Sequence, residues 1–316
     1  MGQRMSKPEL LLMGEYPAVD MAALEANYVV RRYWEAPDKA AFLALHAGAI
    51  RAIATRGDLG ASGEVINALP KLEIISCFGV GLDAIDMATA RARGIKVTIT
   101  PDVLNEDVAD LALALMLGIA RQIPQADAYT RAGKWGNGAF PLLSRMHGKR
   151  LGILGLGRIG LAIARRAEGF SMPISYCTRT KRDDVAYHYC ANAVELAQQS
   201  DFLVAILPGG GATMNIVNAD VLRALGSKGY FINVARGSVV DEWALLEALE
   251  AKAIAGAALD VFWNEPNINP RFFTLPNVVL HPHGGSGTTE TRAAMGKLVR
   301  DNLAAHFSGK PLLTPI

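Results

Sequence analysis

The chain has 316 residues, of which 51% are hydrophobic and 20% are charged, and its 32 basic residues nearly balance 30 acidic ones. This composition excludes an intrinsically disordered protein, and a net charge of +2 gives no basic surface for nucleic acid or an anionic membrane. The length exceeds what one hydrophobic core usually holds, so we expect two domains.

The cysteines and apolar segments bear on the cellular compartment. Cys77, Cys177 and Cys190 are too few for a disulfide framework, and their spacing predicts no metal site. The apolar run near the N-terminus is four residues long, too short for the core of a signal peptide. The most apolar helical stretch, 108–120, contains Asp110 and is too short to span a bilayer. We therefore expect a cytoplasmic protein with reduced thiols.

The first third of the sequence alternates short apolar runs with helical patterns. Buried strands are predicted at 49–55, 72–77 and 95–99, with helices between them at 62–69 and 84–93. Strands that alternate with helices in this way predict a parallel sheet with right-handed crossovers.

The pattern breaks at Thr100-Pro101, and a long helix is predicted over 105–121. The following segment, 123–147, contains glycines and two prolines and is predicted to be a mobile or interface element.

The alternation resumes at residue 150 and predicts a second domain. Six strands, enough for a complete dinucleotide-binding sheet, are predicted at 151–154, 174–177, 202–206, 230–233, 256–259 and 278–280. A last helix is predicted over 288–307, and because no strand pairs with it, we expect it to pack on the first domain. The predicted domains are therefore interleaved, one comprising 1–103 with 288–316 and the other 104–287.

Residues 151–162 form the pattern of a strand, a tight turn and a helix start. Gly155 allows the turn, Gly157 lets the backbone approach a pyrophosphate, and Gly160 lets helix and strand pack closely. The N–H groups at the helix N-terminus would then face the phosphates. Glycines alone are weak evidence, but the strand before them and the helix after them predict a dinucleotide site.

The end of the next strand indicates which dinucleotide binds. An NAD site usually carries an Asp or Glu there to bind the ribose 2′-hydroxyl. This sequence has Thr178, Arg179 and Thr180 followed by two more cations, and its first carboxylate is Asp183. Arg179 can stack on adenine or bind a phosphate. We predict NADPH, with NADH as a weaker alternative; the simpler interpretation is a solvated basic loop.

Polar side chains follow three consecutive strands of the second domain. Arg236, Glu265 and His283 come after the fourth, fifth and sixth strands, at the sheet edge where ligands bind in this architecture. Histidine can protonate a developing alkoxide near neutral pH, and a carboxylate behind its ring orients it and favours the imidazolium. An arginine can polarise a carbonyl and hold a substrate carboxylate. The three residues predict hydride transfer to a ketone, with His281 as the alternative acid.

The sequence resembles the D-2-hydroxyacid dehydrogenases across nearly its whole length. Within that family it is most similar to the glyoxylate/hydroxypyruvate and hydroxyphenylpyruvate reductases. The resemblance rests on several motifs in the family order, which are FGVGLDAID at 78–86, TPDVL at 100–104, the glycine turn, VARG at 234–237, ALDVF at 258–262, EP at 265–266, and PH at 282–283 with Ser286.

The resemblance implies an α/β fold of two Rossmann-like or flavodoxin-like domains with parallel sheets and an active site in the interdomain cleft. The domain of 1–103 with 288–316 would bind substrate, and 104–287 would bind the dinucleotide. The resemblance implies the catalytic set Arg236, Glu265 and His283, a homodimer, and N–H groups of Val80 and Gly81 that receive the substrate carboxylate. It also implies cofactor contacts from Val108, Gly155, Gly157, Arg158, Ile159, Gly160, Leu207, Pro208, Thr213, Val234, Ala235, Arg236, Asp260, His283 and Gly285.

Two features depart from the family pattern, and a third residue, Trp135, has several possible roles. The loop after Pro208 is the glycine-rich segment 209–212 in place of a threonine-containing loop, which would loosen contacts around the adenosine. Arg56 stands where relatives often have an apolar residue or Ser, so it is a candidate second contact to the substrate; the alternative is a solvent-facing arginine. Trp135 lies in the segment that relatives use for dimerisation, and we consider an interface anchor, a wall of the partner's substrate pocket, or core packing.

The sequence thus predicts NADPH-dependent reduction of glyoxylate or hydroxypyruvate to the 2-hydroxy acid, in the D-form where the product is chiral. Hydroxyphenylpyruvate is the second candidate substrate. A dinucleotide-sensing corepressor is the alternative from another class, although such proteins generally have extra terminal segments and favour NAD. Formate or phosphite oxidation is disfavoured because formate enzymes usually place a glutamine where this chain has Glu265.

Overall fold

The structure is a computed structural model that describes residues 7–316. The chain divides into two compact units, Met1–Leu104 with Thr288–Ile316 and Asn105–Gly287. The domain bounds predicted from the sequence differ from these at Leu104 alone.

The described residues contain twelve strands, all paired in parallel. In chain order they are β1 (Glu9–Leu12), β2 (Val29–Arg32), β3 (Ile50–Arg56), β4 (Ile74–Phe78), β5 (Lys96–Thr98), β6 (Leu151–Leu154), β7 (Ile174–Cys177), β8 (His188–Tyr189), β9 (Phe202–Ala205), β10 (Tyr230–Asn233), β11 (Gly256–Leu259) and β12 (Val278–Leu280).

Helices connect most of these strands. They are α1 (Ala18–Asn27), α2 (Lys39–His46), α3 (Gly63–Ala68), α4 (Met87–Ala92), α5 (Asn105–Ala120), α6 (Ile123–Arg131), α7 (Arg158–Glu168), α8 (Ala193–Gln198), α9 (Ala219–Leu225), α10 (Glu242–Glu250) and α11 (Thr289–Phe307). No helix in residues 7–316 is both long enough and apolar enough to cross a membrane.

The first unit holds a five-stranded parallel sheet in the order β2-β1-β3-β4-β5. The three strands predicted for this unit are confirmed, whereas β1 and β2 were not predicted. β1 contains the short apolar run near the N-terminus, and its Leu10, Leu11 and Leu12 are completely buried. β2 has no buried residue, so its sequence lacks the apolar signal of a strand.

The last helix completes the first unit, as predicted. α11 contacts β4 and α1. The fully buried Asn302 joins this helix to the segment that follows it, because its amide donates to the Thr314 hydroxyl and its oxygen accepts the N–H groups of Leu313 and Thr314. The segment after α11 also reaches the sheet, since Pro315 forms an antiparallel bridge with Thr98 of β5.

The second unit holds a seven-stranded parallel sheet in the order β12-β11-β10-β9-β6-β7-β8. The six predicted strands are confirmed, and the two-residue strand β8 is added at one edge. Every residue of β6, β9 and β11 is buried, as expected for strands covered on both faces by other elements. The strand order reverses between β6 and β9, which is the position where ligands bind in such sheets.

The segment predicted to be a mobile or interface element contains regular structure. It begins with α6, and residues Lys134–Asn137 form a 3-10 helix. The Tyr129 hydroxyl donates to the Gly138 carbonyl oxygen at 2.9 Å, and its ring packs edge-on against Phe140.

Candidate active site

The three glycines between β6 and α7 have different surroundings. Gly155 has a φ of 103°, and a Cβ there would lie 2.2 Å from the Ile206 carbonyl oxygen. A Cβ on Gly160 would lie 2.3 Å from the Gly155 carbonyl oxygen. A Cβ on Gly157, in contrast, would meet no atom within 4 Å. The fold itself therefore requires Gly155 and Gly160, whereas Gly157 leaves room for a ligand beside the helix.

The N-terminus of α7 has no side-chain cap. Gly157 is its N-cap residue, whereas Asn192 and Asn218 cap α8 and α9 with their side-chain oxygens. A helix start without such a cap favours an external anion, because its first N–H groups and the helix dipole both attract negative charge. The turn thus fits a pyrophosphate, and the predicted contacts Arg158 and Ile159 lie in the first turn of the helix.

Within the described residues, the segment after β7 presents two cations without a carboxylate partner, Arg179 and Lys181. The Thr178 hydroxyl donates to the Thr180 carbonyl oxygen at 2.8 Å, which folds the segment into a turn. Arg179 lies between them, is exposed, and forms no ion pair within the described part of the chain. This side chain is therefore available for a phosphate.

Arg182, three residues further on, has a different role. Its guanidinium pairs with Asp184 and donates to the Leu156 carbonyl oxygen at 2.6 Å. Arg182 therefore joins this segment to the glycine turn, and its guanidinium is already engaged.

The loop after β9 holds three further predicted cofactor contacts. Leu207 lies beside the glycine turn, since a Cβ on Gly155 would be 3.0 Å from the Leu207 Cβ. The Thr213 hydroxyl donates to the Pro208 carbonyl oxygen at 2.7 Å, and its N–H donates to the Gly210 carbonyl oxygen at 3.0 Å. The glycine-rich loop is therefore closed on itself by Thr213.

The loop that carries Arg236 is held by a buried amide. Asn233, the last residue of β10, is fully buried; it accepts the Ala235 N–H at 3.0 Å and donates to the Arg236 carbonyl oxygen at 2.9 Å. Val234 and Ala235, which belong to this loop, are buried. We did not single out Asn233 from the sequence, although an amide at the end of an otherwise apolar buried strand is a usable signal.

His283 and Glu265 form the central pair of the site. His283 Nδ1 lies 2.5 Å from Glu265 Oε2, and Glu265 Oε1 accepts the Phe262 N–H at 2.7 Å. The imidazole is 42% exposed, so one edge of the ring is held while the rest faces outward. His283 also has a φ of 47°, a left-handed conformation that is rare outside glycine and concentrates at functional sites.

Arg236 is close enough to Glu265 to act on its charge. Burial alone would raise the pKa of Glu265. The hydrogen bonds from His283 and the Phe262 N–H, together with the positive charge of Arg236, lower it by more, so the net shift of the pKa is downward. The two loops are in backbone contact, because a Cβ on Gly237 would lie 2.1 Å from the Phe262 carbonyl carbon. The structure therefore brings together the three residues predicted to be catalytic.

A second histidine–carboxylate pair lies next to the first. His281 Nδ1 is 2.6 Å from Oδ1 of the buried Asp260. The same Oδ1 accepts the Gly284 N–H at 2.7 Å, and Oδ2 accepts the Gly285 N–H at 3.0 Å. A Cβ on Gly284 would lie 2.4 Å from the His281 ring. His281 therefore packs under the loop that presents His283, which favours a structural role.

The predicted contact Val108 belongs to the same neighbourhood. A Cβ on Gly285 would lie 3.3 Å from a Val108 methyl carbon and 3.0 Å from Asp260 Oδ2. Val108, Asp260 and Gly285, which come from α5 and from the loops after β11 and β12, therefore meet at one point of the second unit.

Val80 and Gly81 lie in the first unit, directly after β4. Neither N–H donates a hydrogen bond within residues 7–316. The preceding Gly79 is fixed by Thr100, whose hydroxyl accepts the Gly79 N–H at 3.0 Å. Two adjacent backbone donors on a fixed loop fit a carboxylate.

Arg56, at the end of β3, does not present an uncommitted charge. Its guanidinium forms a two-pronged pair with Asp58, in which Nε lies 3.0 Å from Oδ1 and Nη2 lies 2.5 Å from Oδ2. Since the carboxylate already occupies this fork, the structure does not favour the predicted contact between Arg56 and the substrate.

Trp135 is 71% exposed, so core packing within this chain is wrong for this residue. Leu142 and Ile123, in the same segment, are also exposed. Three large apolar side chains of this segment are therefore exposed, which fits the predicted interface element.

Comparison with known proteins places these features in a family. A family model described as the NAD binding domain of D-isomer specific 2-hydroxyacid dehydrogenases matches residues 113–285. The chain is 52% identical to glyoxylate/hydroxypyruvate reductase A of Arabidopsis thaliana and 51% identical to hydroxyphenylpyruvate reductase of Plectranthus scutellarioides, and each match covers 93% of this chain and 94% of the relative.

Solved structures agree. The NADPH-dependent glyoxylate/hydroxypyruvate reductase of Sinorhizobium meliloti, in complex with NADP and malonate, superposes with a TM-score of 0.93 at 46% identity. That match covers 98% of this chain and 97% of the other.

Proposed function

The chain belongs to the D-isomer specific 2-hydroxyacid dehydrogenase family and is an oxidoreductase with a dinucleotide-binding domain, and we propose that it reduces glyoxylate and hydroxypyruvate with NADPH. The observation that carries this proposal is the His283–Glu265 pair beside Arg236, at the carboxyl edge of the dinucleotide-binding sheet. The products would be 2-hydroxy acids, in the D-form where they are chiral.

The cofactor would lie along the carboxyl edge of the seven-stranded sheet. Gly157 and the start of α7 would hold the pyrophosphate, and the loops after β9 and β10 would line the path towards His283. When bound, NADPH supplies the hydride that reduces the keto carbon of the substrate.

The proton would come from His283. Glu265 holds Nδ1 of the ring at 2.5 Å, which leaves Nε2 as the proton donor to the substrate oxygen. The carboxylate is ionised at neutral pH, in keeping with its lowered pKa, and would stabilise the charged ring before the proton leaves. Arg236 would polarise the same oxygen and hold the substrate carboxylate, and the Val80 and Gly81 N–H groups are the proposed second carboxylate contact.

The preference for NADPH over NADH rests on the segment after β7. This segment has no carboxylate to repel a 2′-phosphate before Asp183, and Arg179 is available to bind one. A relative at 46% identity is described as NADPH-dependent, in keeping with this proposal.

Hydroxyphenylpyruvate is the second candidate substrate, because a reductase named for it is 51% identical to this chain. We also propose a homodimer in which the exposed Trp135 contacts the partner subunit.

The test is a matrix of kcat/KM values for glyoxylate, hydroxypyruvate and hydroxyphenylpyruvate, each with NADPH and with NADH. The proposal requires steady turnover of the two small acids and higher kcat/KM values with NADPH. A clear preference for hydroxyphenylpyruvate would select the second candidate. Tight dinucleotide binding without turnover of glyoxylate or hydroxypyruvate would overturn the proposal.

A further inference from the structure

A cluster of potential metal ligands lies at the β8 edge of the seven-stranded sheet, the edge opposite β12. The imidazole of His188, the thiol of Cys190 and the carboxylate of Glu195 each contribute one ligand atom, and these atoms all lie within 4.8 Å of one another. None of the three residues takes part in the proposed reduction.

The local fold explains why these side chains meet. His188 lies in β8 and Cys190 directly follows that strand, so their spacing of two directs both side chains to one face. Glu195 lies in the first turn of α8, and its Oε2 accepts the Ala191 N–H at 2.8 Å. One carboxylate oxygen thus holds the loop before the helix, which leaves the other oxygen for a further partner.

The position of Glu195 beside Cys190 favours a cation. Cys190 is fully buried, and the carboxylate of Glu195 lies within 4.8 Å of its thiol. A divalent cation between them would pair with the carboxylate and stabilise the thiolate.

We propose that His188, Cys190 and Glu195 bind Zn²⁺, with water in the fourth position. Imidazole, thiolate and carboxylate form the donor set that Zn²⁺ accepts, whereas Mg²⁺ and Ca²⁺ take oxygen ligands. The exposed His188 and the fully buried Cys190 would place the ion at the boundary between solvent and core. Because Zn²⁺ bonds are about 2.0–2.3 Å long, small side-chain movements would complete the site.

The first test is titration of the full-length, metal-free protein with Zn²⁺ in a calorimeter. We expect the wild type to bind one Zn²⁺ per chain. His188→Ala should raise the Zn²⁺ dissociation constant by about 100-fold or more, since loss of even an outer partner of a metal ligand costs roughly 10–100-fold in affinity. The matched control is His147→Ala, which removes another exposed imidazole and should bind as the wild type does. Equal Zn²⁺ binding by the wild type and His188→Ala, or no binding by either, would overturn the proposal.

The second test identifies the thiolate with Co²⁺ as a spectroscopic probe. The wild type and Cys77→Ser should show a thiolate-to-cobalt charge-transfer band, and Cys190→Ser should lose it. Cys77 is equally buried but lies in β4 of the other unit. A band that persists in Cys190→Ser, or that is missing in the wild type, would refute the assignment. Should Cys190→Ser not fold, the calorimetric comparison with the exposed His188 variant still decides.

Discussion

Gly157→Ala and Gly160→Ala should separate cofactor binding from folding within one turn of chain. At Gly157 the backbone has φ −79° and ψ −159°, which alanine adopts without strain, and the added methyl would meet no atom within 4 Å. We therefore expect a loss of no more than about 1 kcal/mol in the free energy of unfolding, from the poorer N-cap. At Gly160 the methyl would lie 2.3 Å from the Gly155 carbonyl oxygen, so overpacking should cost about 1–3 kcal/mol.

The effect on NADPH binding should be strong even where stability is kept. The methyl of Gly157→Ala would stand beside the first N–H groups of α7, where the pyrophosphate is proposed to bind. A hydrogen bond to a charged group contributes about 1.5–3 kcal/mol, so the loss of one should raise the NADPH dissociation constant about 10–100-fold.

Fluorescence titration with NADPH and urea unfolding measure the two quantities on the same samples. Gly157→Ala should bind NADPH more weakly than the wild type at nearly wild-type stability, whereas Gly160→Ala should have a lower free energy of unfolding. Wild-type NADPH affinity in a well-folded Gly157→Ala protein would show that the dinucleotide does not approach this turn, and would refute the reasoning.

Three further predictions concern individual side chains. His283→Ala should lower kcat by roughly 10²–10⁴-fold with NADPH binding largely kept, whereas His281→Ala should keep most of kcat; the reverse pattern in steady-state kinetics would make His281 the acid. Arg179→Ala should raise the KM for NADPH about 10-fold and leave that for NADH unchanged, with Arg223→Ala, an exposed arginine of α9, as the control; equal changes for both cofactors would contradict the assignment. The lowered pKa of Glu265 implies a contribution to stability that is complete above its ordinary pKa of 4.5 and is lost as pH falls through the folded value. In urea unfolding between about pH 6 and pH 3.5, Glu265→Gln should therefore lose less stability than the wild type. Equal losses in the two proteins would show that the His283–Glu265 pair does not stabilise the fold.

The strands of the second unit were predictable because of their environment. A parallel strand covered on both faces must be apolar along its whole length, and runs such as 151–154 and 202–205 show this directly. β8 has two residues and β2 has no buried position, so neither carries that signal.

The candidate site was predictable where motifs fix the positions of its residues. It was not predictable where a contact depends on side-chain conformation or on where a helix starts. His283 and Glu265 follow strands whose carboxyl ends share one edge, so their meeting could be expected. The pairing of Arg56 with Asp58 depends on rotamers at the end of β3. The approach of Glu195 to Cys190 depends on where α8 starts, and no cysteine spacing encodes that.

The division of the chain at Leu104 and Thr288 has a consequence for synthesis on the ribosome. The second unit is one continuous stretch, so all its residues leave the exit tunnel before α11 does. The first unit lacks α11 until then, and the buried residues of β4 that this helix contacts stay uncovered during translation. The unit whose synthesis starts first is thus the last to finish folding.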